Sequence, residues 1–308
     1  MRTLHANRGI TSLQVGVAIA LVLLLAFLVV FLVRHEDTNW PQSAFERSVK
    51  QLQYIQAMRR DLLASAEAEK SAVMAETDEA SQAFAEQSIQ ASHNVEKARR
   101  ELEHLLGGNR QDAQLFREFS RCWDTLQEID REVLSLAVQN TNLKAFRLSF
   151  VPAAEAMRSM EEALNHLMDA VSSSPDAGKI TRLAAQAVIG ALHMYTLQAP
   201  HIAESTVTRM DEIEAVMQSL DTQVTNALQS LQALVDESGQ RWLAAAWASY
   251  KDFQNINVEI VALSRQNSNI RSYALSLGQK RKMTAQCQDV LAALQETVQQ
   301  SMKYKATR

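Results

Sequence analysis

Gln139–Phe146 reads QNTNLKAF, and the phrase returns as QNSNIRSY at Gln266–Tyr273, a spacing of 127 residues. Both copies lie inside long runs whose apolar residues recur with helical period. Asparagine is a poor helix former, because its amide competes for backbone groups. Writing it twice in each phrase, in the middle of two helices, therefore calls for a reason. The likeness reaches further back: Gln127, Ile129, Glu132 and Leu136 each recur at the same spacing, as do Gln139, Asn140 and Asn142. Heptads alone would repeat apolar positions but not Gln-Asn-x-Asn. Residues 40–172 and 173–304 thus read as two copies of one helical hairpin.

Working outward, the chain has 308 residues with only 8 Gly and 4 Pro, where average usage would give roughly twenty and fifteen. Few breakers among abundant Ala, Leu, Gln, Glu and Ser point to an all-α fold of long helices. The strong loop signals are GGNR at 107–110, SSSPDAGK at 172–179 and DESGQ at 236–240. They divide residues 42–304 into four segments of about 60 residues each. One apolar seam runs from Leu115 and Phe119 through Leu126, Ile129, Val133 and Leu136 to Asn140. A matching seam runs from Trp242 through Phe253, Ile256, Ile260 and Leu263 to Asn267. Steps of four and three are those of knobs-into-holes packing. Short loops between long helices give antiparallel neighbours, so an up-down-up-down four-helix bundle of two repeated hairpins is expected. Pro152 and Pro200 fall inside segments two and three, and each is expected to kink or divide its helix.

Val15–Val33, VGVAIALVLLLAFLVVFLV, carries no charge and no proline. As a helix it spans about 28 Å, close to the hydrocarbon core of a bilayer. The run is too long for a signal peptide, and no A-x-A-like cleavage site follows. A transmembrane helix over residues 12–34 is expected, behind a short cytoplasmic segment, residues 1–11. Arg2 and Arg8 precede the span, while Arg34 is offset by Glu36 and Asp37. The positive-inside rule then puts the N-terminus in the cytoplasm and the bulk of the chain outside the inner membrane. No second apolar span follows. The start RGITSLQVGV also resembles a type IV prepilin, but Gln14 stands where that family normally has glutamate.

The anchored long helices, the phrase WASYKDFQNINVEIVALSRQNSNIRSYALSLG and its earlier copy together resemble one family. It is the extracytoplasmic four-helix-bundle sensory module of methyl-accepting chemotaxis receptors, here without the signalling domain. The resemblance covers most of the chain after the anchor and implies a sensory or ligand-binding role in signal transduction. With about a dozen residues facing the cytoplasm, such a role is exercised through a signalling partner or a second copy of the chain.

Counting residues from the loops near 108 and 238, taken as one end of the bundle, predicts a polar layer at mid-height. It contains Thr77, Asn140, Thr206 and Asn267, flanked by Asn142, Asn269 and Arg209, with Lys144 and Arg271 nearby. One reading is a register device, in which buried asparagines fix helix alignment; an Asn140/Asn267 pair of leucines would then stabilise the bundle. The other is a pocket between helices in which the cations favour a small carboxylate.

The net charge of −4 is spread along the chain and offers no basic stripe for nucleic acid. Seven scattered histidines show no metal-ligand spacing. Neither a phosphate-cradling glycine loop nor a nucleophile elbow is present. Neither an enzyme nor a cofactor protein is expected. The competing functional class is a structural or tethering helical post with no ligand. The same residue count puts Cys122 and Cys287 roughly 50 Å apart along the bundle, too far to pair, so both are expected as buried thiols.

Overall fold

The computed structural model describes residues 44–107 and 109–306. Every regular element among them is helical. Helix α1 covers residues 44–73, α2 Asp78–Leu105, α3 Arg110–Ala137, α4 Thr141–Leu148 and α5 Ala154–Ala170. Helix α6 covers Ala177–Thr196, α7 Gln198–Ala203, α8 Val207–Gln232, α9 Glu237–Gln266, α10 Ser268–Leu275 and α11 Arg281–Ala306. A π-helical turn joins α4 to α5 at Ser149–Ala153, and another joins α10 to α11 at Ser276–Lys280. These turns keep the 127-residue spacing of the repeat. Pro152 sits in the first, where the widened turn accommodates its missing N–H. The second has no proline, so the π geometry belongs to the repeat itself. Pro200 stands in the first turn of α7, where an N–H would lack an intrahelical partner.

The chain forms two compact units. The described parts of the smaller are residues 44–60, 94–107, 109–120 and 288–306. Its helical segments bury Ile55, Met58, Leu102, Phe119, Leu291 and Val298. At its margin Gln51 Nε2 donates to the Leu105 carbonyl at 2.8 Å, and Arg59 reaches Gln295 Oε1 at 2.7 Å.

The larger unit comprises residues 61–93 and 121–287. Two long paths, α3–α4–α5 and α9–α10–α11, run antiparallel through it. Cys122 lies opposite Cys287, Asp130 opposite Lys280, Thr141 opposite Ser268 and Leu167 against Gly239. On one side of the asparagine phrase, α5 and α9 pack with α6 and α8 around Leu164, Leu167, Val224, Leu228, Leu243 and Phe253. Helices α6 and α8 approach closely at Gly190, where an added Cβ would lie 2.8 Å from Val224 Cγ2. On the other side, α1 and α2 meet α3 around Ala72, Val73, Ala85, Val133 and Ala137. Small residues allow tight approach here as well. Ser65 Oγ lies 3.1 Å from Ser88 Oγ, and Ser81 Oγ donates to the carbonyls of Ala72 and Ala137 at 3.1 and 3.2 Å.

This order corrects the expected topology. The first and third segments are not single helices, because the chain reverses at residues 74–77 and again at 204–206. The expected up-down-up-down arrangement would make the second and fourth segments parallel, whereas in the larger unit they are antiparallel. The cysteine expectation fails for the same reason. Cys122 and Cys287 form a disulfide with Cα atoms 5.7 Å apart. No helix among the described residues is long and apolar enough to cross a membrane. The apolar run Val15–Val33 lies outside the described residues, as do the segments 1–11 and 12–34.

Candidate functional site

Asn140 and Asn267 are the two non-glycine residues with positive φ among the described residues, at 51° and 54°. Each occupies the left-handed region at the break between two helices, α3/α4 and α9/α10. Asparagine enters that region more readily than other residues with a β-carbon. The first asparagine of each phrase is therefore a helix breaker, which is why its poor helix propensity is useful here.

The break strands backbone donors at the starts of α4 and α10, and each helix is capped by the other copy. The Thr141 N–H donates to Ser268 Oγ at 3.0 Å, and the Ser268 N–H to Thr141 Oγ1 at 3.1 Å. One residue on, the Asn142 N–H donates to Asn269 Oδ1 at 3.1 Å, and the Asn269 N–H to Asn142 Oδ1 at 3.2 Å. The remaining amide groups close the layer. Asn142 Nδ2 donates to Asn267 Oδ1 and to the Ile202 carbonyl, both at 2.8 Å. Asn269 Nδ2 donates to Asn140 Oδ1 at 3.0 Å, Asn140 Nδ2 to Asp78 Oδ1 at 2.9 Å, and Asn267 Nδ2 to the Glu204 carbonyl at 2.9 Å. All four amide oxygens accept a bond from within the layer. A ligand entering here would have to displace protein hydrogen bonds.

Asn140, Asn142, Asn267 and Asn269 thus come together as the sequence reading expects. Thr77, Thr206 and Arg209 do not join them. Thr77 is exposed and caps α2, its Oγ1 accepting from the Ala80 N–H at 3.1 Å. Thr206 is exposed at the other reversal, bound to the Glu204 carboxylate through both its N–H and its hydroxyl. Those bonds hold the Glu204 carboxyl below its ordinary range. Arg209 pairs with Glu212 at the surface. Lys144 lies 3.5 Å from Asp78 and Arg271 3.8 Å from Glu132. The cations therefore have carboxylate partners outside the amide layer.

Sequence reading missed a second buried polar cluster. Lys280 Nζ contacts Glu69 Oε2 at 3.0 Å and also pairs with Asp130, all three residues being buried. At the places that match Glu69, Asp130 and Lys280 by the repeat stand Gln198, Asn257 and Ala153. Gln198 Nε2 donates to Asn257 Oδ1 at 2.9 Å and accepts from Ser149 Oγ at 2.8 Å. The ion triad joins Glu69 and Asp130 of the first copy to Lys280 of the second, and its counterpart is a neutral amide cluster. The sequence carries a signal for this, since the 127-residue spacing sets Asp130 against Asn257. The second copy has its own charged network, with buried His201 between Ser264 Oγ and Glu214 Oε1, each at 2.8 Å. Burial pushes the Glu214 carboxyl up, but bonds from Arg265 and His201 outweigh it and leave the group below its ordinary value.

Two surface grooves also occupy matching places. One lies between α2 and α3 with a volume of about 540 Å³, walled by Ala85, Ile89, Leu134 and Val138, with His93 and Arg131 among the lining residues. The other lies between α8 and α9 with a volume of about 410 Å³. There Glu214 corresponds to Ala85, Gln218 to Ile89, Asp221 to Ser92 and Val258 to Arg131. Both volumes lie within the range of small-molecule sites.

Residues 13–177 match the family described as the four helix bundle sensory module for signal transduction, and the chain belongs to that family. None of the curated proteins compared with the chain matches it. The family match ends close to the boundary between the two copies, and the second copy repeats the first copy's asparagine break and π turn.

Proposed function

We propose that this sensory module is membrane-anchored and extracytoplasmic, held by a helix over residues 12–34 with its N-terminus in the cytoplasm, and that it signals through a partner protein. The observation that carries this reading is the Cys122–Cys287 disulfide. Disulfides persist in oxidising compartments and are rare in the cytosol. The polarity of Arg2 and Arg8 ahead of the apolar run supports the same orientation. A small-molecule stimulus is part of the reading. The closed asparagine layer makes a poor receptor for it, whereas the surface grooves remain open.

A periplasm-active reporter fused to the C-terminus tests the orientation. Activity in the extracytoplasmic compartment, lost when residues 15–33 are deleted, is expected. A reporter active only in the cytoplasm overturns the proposal.

A second reading, a tethering post without a ligand, draws on the same closed layer, whose groups are occupied by one another. Failure of every small metabolite tested to shift the melting temperature of the full chain would favour it.

A further inference from the structure

We propose that the groove between α2 and α3 binds a small monocarboxylate with an apolar body, such as an aromatic or short aliphatic acid. The inference deepens the sensory reading and rests on it for its biological meaning.

The argument comes from comparing two places that the repeat makes equivalent. In the first copy the groove is walled by Ala85, Ile89, Leu134 and Val138, with Arg131 among its lining residues. Arg131 Nε donates to the Gln127 carbonyl at 3.3 Å, and no ion pair engages this guanidinium among the described residues. Asp130, which also lines the groove, is already paired with buried Lys280. An apolar wall beside an arginine without an acidic partner suits a ligand with one apolar end and one carboxylate, since the arginine fork fits carboxylate geometry.

In the second copy the balance of charge shifts toward acid. Glu214 and Asp221 stand in the walls together with Lys251, and Val258 takes the place of the arginine. Arg265 corresponds to Val138, and it is bound to Glu214 at 2.7 Å and to Asp211. With two carboxylates to one lysine, that groove suits a carboxylate less well. Two grooves of common origin have therefore diverged in charge, the first setting Arg131 beside an apolar wall and the second setting two carboxylates against one lysine. A wall of the same shape serving only as surface would give no reason for this opposition. Ile89, at 44% exposure, is one of the exposed large hydrophobic side chains, and a bound apolar body would cover it.

The test uses the purified full chain in detergent, titrated calorimetrically with benzoate and hexanoate, and with benzamide and hexylamine as counter-probes. At least one acid is expected to bind, with benzamide and hexylamine about tenfold weaker or worse, the loss expected for a charge-assisted bond. Arg131→Gln is expected to bring the acid down to the level of the amide, while Val258→Ala in the other groove leaves it unchanged. Ile89→Glu, a change at a half-exposed site, is expected to abolish acid binding and serves if Arg131→Gln folds poorly. Absence of acid binding, equal binding of benzamide, full acid affinity in both variants, or an equal loss in Val258→Ala would each overturn the proposal. Acid binding with a cytoplasmic C-terminal reporter would sink the extracytoplasmic reading alone, and the converse result would sink the ligand alone.

Discussion

Thr141 and Ser268 start two different helices and cap each other, with N–H to side-chain oxygen distances of 3.0 and 3.1 Å. The caps form only because the preceding residues, Asn140 and Asn267, turn the backbone into the left-handed region. Replacing both asparagines with leucine is therefore expected to destabilise the protein. Each leucine costs about 1–2 kcal/mol in backbone strain, and each lost buried bond costs about 1 kcal/mol more. Glycine at both positions keeps the backbone accessible and should lose less. Urea unfolding of the three proteins checks the order. A double-leucine variant as stable as the parent would mean that these residues do not set the break.

Lys280 neutralises part of the buried charge of Glu69 and Asp130. Lys280→Met is expected to destabilise by about 3–5 kcal/mol, because it leaves two carboxylates buried without their cation. Adding Glu69→Gln and Asp130→Asn, the residue types at the matching positions of the second copy, should restore most of that loss. Thermal melts of the single and triple variants decide the matter, and a triple variant no better than the single would contradict the equivalence of the two clusters.

The Cys122–Cys287 bond closes a loop with a sequence separation of 165. Reduction, or Cys122→Ala with Cys287→Ala, is expected to lower stability by about 2–5 kcal/mol. Melting curves with and without reductant should differ for the parent and coincide for the double variant. Coincident curves for the parent would show that the bond contributes little.

Hydrogen bonds from Arg99, and to a lesser degree Arg100, hold the Glu96 carboxyl at about 2 against an ordinary 4.5. Because the folded value is the lower one, the stabilisation is complete above the unfolded value. It is lost as pH falls through the window from 4.5 to about 2. Glu96→Gln should therefore be less stable than the parent at pH 7, with most of the gap closed near pH 2. Urea midpoints at the two values test the sign, and a gap that widens in acid would reverse it.

Helical content, the repeat and the meeting of the four asparagines were legible in the sequence, because composition and period report directly on which faces are buried. The reversals at 74–77 and 204–206 were not, because neither Gly nor Pro makes them. Thr77 followed by Asp78 and Glu79 is nonetheless a helix-start signature: a capping oxygen, then acidic residues in the first turn. The distance between Cys122 and Cys287 was reckoned along a path that the chain does not take. The grooves were also out of reach, since they depend on which residues α2 and α3 present together, and period alone leaves that open.

The antiparallel course of the two long paths has a consequence for how such a chain could arise. Helix α5, the last of the first copy, packs with α6 and α9 of the second. Helix α11, the last of the second copy, is fastened through Cys287 to α3 of the first. Each copy thus lends its final helix to the other, as protomers do in a domain-swapped dimer. The mutual caps at Thr141 and Ser268 sit where the two-fold axis of that dimer would pass. The linker at residues 171–176 then does the work of a tether, turning an exchange between two molecules into an architecture of one.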